Sequence, residues 1–593
     1  MRKPAAFIAA ALFAAALSQF AVAAQPTAGE RLNQLVDRYF EELITRQPLY
    51  ATYIGDNRFN DRYANSISPA FVAESEKIES SYLKALQAID PSTLSGTDRI
   101  TYDVFKYDRE SAIAGNPFPG ELLPIDQFNN SVGDLAVLGS GEGAQPFVTV
   151  KDYENFLKRS DEFLVFLDQS ITNMRIGIKR GVVQPKVVAG KLLPQISDLI
   201  APKAEDSIFY GPIRKLPEKK FPAADNERLT AAYRAQILDK LNPSLTRFRD
   251  FLKNDYVPHC RDTVGWSALP NGRAWYDYTL SVFTTTKMSA DEIHGLGLSE
   301  VKRIHGEMDG VMQQVKFQGD RKAFFRFMQT DPRFLFKSPE DALAQFNATK
   351  TKVEALLPKL FQDFPKADYQ IKPVEAFRAS SSAGAFYQSP SEDGSRPGVF
   401  YLNTTDLKRV PLYGMETLSL HEAEPGHHFQ GSIAQEIKGI PRYRRFGGGS
   451  VYWEGWALYS ESLGKELGVF TDPYQYYGRL NAEMLRAMRL VVDTGMHARG
   501  WTREQAIAYM LDNSSLAGPE VVAEVERYIA WPGQATSYKV GQIRIRAART
   551  RAEKALGSHF NVKEFHSQVL LDGALPMDVL DAKVDRWIAA QSQ

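Results

Sequence analysis

The sequence predicts a mainly α protein: a large helical body with a small β-sheet beside the helix that carries the candidate chemistry. Three observations predict it. Long stretches repeat apolar residues at helical spacing, helix-start signals recur along the chain, and strand-like runs are few and short.

Taken in order, residues 1–23 read as a secretory signal. Arg2 and Lys3 supply the positive start, residues 5–17 (AAFIAAALFAAAL) the apolar run, and Ala21-Val22-Ala23 the small-residue cleavage pattern. The run is short of the roughly 20 residues that span a bilayer. No Cys follows it, and no later segment is long and apolar enough to cross a membrane. The expectation is a chain exported to the periplasm or beyond, without stable membrane insertion. Residues 24–30 read as a flexible start. Leu35, Tyr39, Phe40 and Leu43 place a helix over 32–46, and residues 70–92, 151–182 and 226–255 repeat the pattern. Asp291, after Ser289-Ala290, opens a helix, and Ser338-Pro339-Glu340-Asp341 opens another. Two runs read as strands: Trp275 to Thr286 (WYDYTLSVFTTT), and Gly398 to Asn403. Residues 379–397, rich in Ser, Gly and Pro, read as a loop. The organisation expected is a helical part over 24–288 and a part over 289–593 that holds the chemistry, the two open to forming one continuous domain.

Composition narrows the function. Hydrophobic residues make up 44% and charged residues 24% of the 593, enough for a large core. Lys+Arg and Asp+Glu both number 71, without the basic excess of a nucleic-acid binder. Cys260 is the sole cysteine, with no base beside it in sequence, and reads as structural; any zinc must be held by His and carboxylates.

Four of the nine histidines lie between 421 and 497. A metal-dependent hydrolase needs two imidazoles on one ion and a carboxylate beside them. The common solution is His-Glu-x-x-His, since positions four apart share a helix face. Here His421-Glu422 is followed by Ala-Glu-Pro-Gly and then His427-His428. In a straight helix six and seven residues span about 9 and 10.5 Å, whereas two nitrogens on one zinc lie about 3–4 Å apart. Pro425-Gly426 offers the escape, since Pro kinks a helix and Gly accepts unusual dihedrals. His427 is the favoured second ligand and His428 the alternative. The stretch 452–461 reads as an aromatic-rich helix in which Glu454 lies among Trp453, Trp456 and Leu458, costly to bury unpaired and so a candidate third ligand. Glu461, seven residues on, lies on the same face.

HEAEPGHHFQ, then WEGWALYSE, DTGMHARGWT at 493–502 and PGQATSYKVGQ at 532–542, with DGSRPGVFYLNTTD at 393–406, resemble the bacterial DUF885 family over essentially the whole chain after residue 23. That family looks related to the gluzincin-type helical zinc metallopeptidases, the thimet oligopeptidases and helical carboxypeptidases. The resemblance implies Zn2+ at His421, His427 and Glu454, with Glu422 as general base. Those relatives carry plain His-Glu-x-x-His, and this chain does not.

The remaining blocks have readings of their own. His497, in a stretch that reads as a turn before a helix capped by Thr502, and Tyr538 are candidate donors to an oxyanion. Arg486, Arg489 and Lys539 are candidates for a peptide carboxylate, and the edge of the strand over 399–403 for peptide alignment. The function expected is zinc-dependent peptide hydrolysis. The alternatives are hydrolysis of another amide, such as a cell-wall peptide or an acylated amino acid, and a non-catalytic zinc-binding protein. Glu422 favours catalysis, because a pure binding site needs no carboxylate beside its first ligand.

Overall fold

The computed structural model describes residues 26–374, 379, 384–392 and 396–591; the expected signal segment lies outside them. The fold is mainly α. Helices begin where the sequence places caps. Ser289 accepts from the Glu292 amide, and Glu292 reaches back to the Ser289 amide, opening Ala290–Gln314. Ser338 accepts from the Asp341 amide to cap Pro339–Leu356, with Pro339 in the first turn. Val150–Arg180 runs from a Thr149 capping box to Gly181 in the left-handed conformation.

The small sheet has three strands: β1 (Tyr369–Pro373), β2 (Ala385–Gln388) and β3 (Gly398–Leu402), in the order β1-β3-β2. β3 pairs parallel with β1 and antiparallel with β2. Two expectations change here. β2 lies inside the stretch read as a loop. And β3 is the central strand, hydrogen-bonded on both sides, so it has no edge to offer a peptide; β1 and β2 are the edges.

Trp275–Thr286 is the other correction. It is helix, Gly272–Thr284, rather than strand. Tyr276, Leu280 and Thr284, four apart, are buried on one face. The Tyr276 hydroxyl hydrogen-bonds to the buried Asp493 carboxylate at 2.5 Å. Packing outweighs the β preference of aromatic and β-branched residues.

One hydrophobic core is built from residues 63–260 alone. Three other cores are shared by the two halves of the sequence. Ile100 and Val104 pack with Trp456 and Leu463, and Val188 and Val264 with Tyr477 and Met488. Cys260 is buried in the first core, which pushes its thiol up to about 12 and makes it inert. Among the described residues, no helix is long and apolar enough to cross a membrane.

Candidate metal centre

Two helices and a tight loop carry the histidines. Met415–Glu422 ends one residue after His421, and His427–Glu436 starts on the second histidine. Between them Pro425 has no amide proton to continue the helix, and the main chain folds back on the turn it has just left. A Cβ on Gly426 would lie 1.9 Å from the His421 carbonyl oxygen and 2.4 Å from that of Leu420, so only glycine fits. The fold-back brings His427 beside His421, their ring centres 4.8 Å apart.

The helix Ser450–Leu467 supplies the rest. It passes Ser537–Leu556 closely, because Gly455 and Gly541 face each other where any Cβ would clash. From this helix Trp456 Nε1 donates to the Pro425 carbonyl at 2.7 Å and Ser460 Oγ donates to it at 3.3 Å, fixing the loop. Glu454 Oε2 lies 3.6 Å from His421 Nε2 and 3.4 Å from His427 Nε2. Donor atoms of His421, His427 and Glu454 all fall within 4.8 Å of one another, so the three could hold a metal ion. Glu454 Oε2 is buried without a hydrogen-bond partner. Glu461 Oε1 accepts from His421 Nδ1 at 2.8 Å, which turns the lone pair of Nε2 toward Glu454. His421 is buried, whereas His427 and Glu454 keep partial exposure, so the cluster has one open face.

Charge tells the same story. Two imidazoles meet Glu422, Glu454 and Glu461. Burial by itself lowers the His421 pKa, but contacts with Glu454 and Glu461 and the charge of Glu422 outweigh it and lift His421 to about 9. Burial by itself raises Glu454, but the two histidines hold it well below the usual carboxylate range. A surplus of buried carboxylate around neutralisable imidazoles suits a cation. Glu422 follows His421 and is buried, yet is not one of the three converging groups.

His428 points elsewhere. Its Nε2 donates to the Ala367 carbonyl at 3.0 Å, and its Nδ1 lies 2.9 Å from the Tyr387 hydroxyl of β2 and 3.3 Å from Ser432 Oγ. Burial lowers it to about 4, so it stays neutral and ties the sheet to the His427 helix. His497 is also displaced from the role considered for it. It lies in the last turns of the helix Pro473–Arg499, not in a turn. Nδ1 accepts from the Trp266 amide at 3.1 Å and Nε2 donates to the Tyr528 carbonyl at 3.0 Å. Both ring nitrogens are spent on main chain in one neutral tautomer, and burial lowers the ring to about 3, leaving nothing for a substrate.

Tyr538 is the second residue of Ser537–Leu556. Its oxygen accepts from Arg527 at 3.1 Å, which leaves its own proton to donate. Arg486 connects it to the centre: the guanidinium lies 5.9 Å from the Tyr538 ring and 3.8 Å from Glu461 Oε1. Lys539 is buried against Glu483 and Glu300 at 2.5 and 2.8 Å and has no capacity for a substrate. The grip of Trp456 and Ser460 on Pro425, and that of Arg527 on Tyr538, carry no signal in the sequence. Ring nitrogens and carbonyls across a loop leave no spacing pattern.

The fold has solved counterparts. A crystal structure described as "the putative lipoprotein from Colwellia psychrerythraea" matches with a TM-score of 0.88 at 28% identity, covering 95% of this chain and 100% of that one. A second, "a putative lipoprotein of unknown function from Shewanella oneidensis", matches with a TM-score of 0.74 at 16% identity, covering 94% and 99%, and speaks for the fold alone. No curated protein matches the chain. The family model described as "Bacterial protein of unknown function (DUF885)" matches residues 48–584, and the chain belongs to the DUF885 family.

Proposed function

We propose that this protein is a zinc-dependent hydrolase of peptide bonds, with His421, His427 and Glu454 holding the ion and Glu422 as general base. One observation carries the proposal. Two imidazole Nε2 atoms stand 3.4 and 3.6 Å from one carboxylate oxygen that has no hydrogen-bond partner. These are too long for hydrogen bonds of normal strength. They match the roughly 3–4 Å separation of donors that each bind one zinc at about 2.0–2.2 Å. All-nitrogen and oxygen donors with one open side fit a reactive site better than a closed structural one.

Zinc, when bound, supplies Lewis-acid polarisation of the scissile carbonyl and a lowered pKa for water. The chain's own groups do the rest. Glu422 takes the proton of the attacking water and passes it to the leaving amine. Glu461 holds His421 in the tautomer that leaves Nε2 free. Tyr538 donates a hydrogen bond from its hydroxyl to the oxyanion as the carbonyl becomes tetrahedral. The lipoprotein description of the Colwellia structure supports export, in keeping with the basic, apolar and small-residue order of residues 2–23; the working compartment is the periplasm or the exterior.

The test is digestion of a mixed peptide library by the zinc-loaded protein, read by mass spectrometry, with cell-wall peptides and acylated amino acids alongside. Cleavage of peptides that stops with a chelator and returns with zinc supports the proposal. A zinc-loaded, folded protein that leaves every peptide intact contradicts it.

A further inference from the structure

Arg486 and Arg489 stand one turn apart on the helix Pro473–Arg499 and converge on one ring, their guanidinium carbons 5.9 and 4.4 Å from the centre of Tyr538. Each has a buried nitrogen without a hydrogen-bond partner: Nε of Arg486 and one terminal nitrogen of Arg489. Like charges at this spacing repel, so each calls for an anion. Arg489 has one, Glu524 Oε2 at 2.8 Å, with the Tyr528 hydroxyl at 3.0 Å.

Arg486 does not. One terminal nitrogen donates to the carbonyl of Ala482 in its own helix at 3.2 Å. Among the described residues, the single carboxylate within 4 Å is Glu461, at 3.8 Å; its Oε1 is already engaged by His421 Nδ1 at 2.8 Å, and its Oε2 is buried without a hydrogen-bond partner. The remaining groups around it do not fill the need. Arg527 adds positive charge on the Tyr538 hydroxyl. Glu520 has its carboxyl pushed up to about 7, by burial and then by the charge of Glu524, so much of its charge is suppressed at neutral pH. Arg486 keeps 15% side-chain exposure, whereas Arg489 is nearly closed off. It is thus a partly exposed arginine, held by one long ion pair, one contact removed from a metal-cluster histidine.

We propose that Arg486 anchors the free C-terminal carboxylate of a short peptide, so that cleavage falls near the C-terminus. This rests on the peptide-hydrolase proposal above. An anchor so close to His421 leaves room for only the last residues of a chain. Guanidinium pairs with carboxylate through parallel, charge-assisted hydrogen bonds, a geometry an amide does not reproduce.

The experiment uses matched peptides that differ only in a free or amidated C-terminus, each made with and without an acidic side chain. kcat/KM is measured with the zinc-loaded full chain, and binding of the same peptides with the zinc-loaded Glu422→Gln protein. The free acid is expected to be preferred over the amide by roughly tenfold to a hundredfold, the worth of a charge-assisted hydrogen bond. Arg486→Gln should erase that preference and Arg486→Lys should restore part of it. Wild-type protein that treats acid and amide alike overturns the proposal. So does an Arg486→Gln protein that loses acid and amide equally, since Arg486 would then serve only Glu461, and so does a preference that follows the acidic side chain rather than the terminus. Binding that favours the acid while no peptide is cleaved sinks the hydrolase reading and keeps the anchor. Cleavage without that preference does the reverse.

Discussion

Gly426→Ala is a small change with a large expected consequence. The backbone there is φ −78°, ψ −129°, which alanine adopts without left-handed strain. The obstacle is space: the new Cβ would lie 1.9 Å from the His421 oxygen and 2.4 Å from that of Leu420. Real Cβ contacts essentially never fall below 3.0 Å, so loop and helix must part by roughly 1 Å. Neither neighbour is a flexible side chain; both are main chain, and the loop is pinned on its far side by Trp456. Overpacking of this kind costs about 1–3 kcal/mol. Metal bonds tolerate only about 0.2 Å, so the cost to the centre exceeds the cost to the fold. The variant should remain folded by circular dichroism, lose about 1–3 kcal/mol in denaturant titration, and bind zinc at least roughly tenfold to a hundredfold more weakly in a competition titration, comparable to or worse than the loss of an outer-shell partner. Wild-type zinc affinity in a folded Gly426→Ala protein would refute the claim that this close approach sets the histidine pair.

Glu422→Gln should keep zinc and lose turnover by roughly 10²–10⁴-fold, the usual worth of a general base; zinc loss instead would make Glu422 a ligand. Glu461→Gln should keep the fold and weaken zinc by about 10–100-fold through the His421 ring, read by the same titration; unchanged affinity would leave Glu461 without a role. His497→Gln tests a structural histidine. Its folded pKa, about 3, lies below the usual His value of 6.5, so only the unfolded chain takes up a proton between them. Its stabilising effect is present above pH 6.5 and is lost as pH falls, about 2 kcal/mol by pH 5. The variant should be less stable at pH 7 yet lose less on going to pH 5, with zinc bound throughout; zinc loss in a folded His497→Gln protein would return His497 to the site.

Much of this was legible in the sequence because it is local. Caps at Ser289 and Ser338 declare helices by side chains three residues apart. The break at Pro425-Gly426 could be inferred because no straight helix brings His421 and His427 to one ion. What was not legible depended on distant partners. Trp275–Thr284 folds as helix because Tyr276 meets Asp493 across 217 positions. β2 hides in a Ser- and Gly-rich stretch because β3, not its own composition, makes it a strand. His427 and His428 look equivalent on paper; what separates them in the fold is Ala367 and Tyr387, which occupy His428. The same reason misleads at His497, whose polar neighbours are main-chain groups of Trp266 and Tyr528.

The central claim is that His427, and not His428, shares an ion with His421 and Glu454. It is tested most directly by metal analysis of three purified proteins after zinc loading and desalting: wild type, His427→Gln and His428→Gln, with folding checked by circular dichroism. The account predicts about one zinc per chain in wild type, the same in His428→Gln, and almost none in His427→Gln. Full zinc in a folded His427→Gln protein, with loss in His428→Gln, would contradict it.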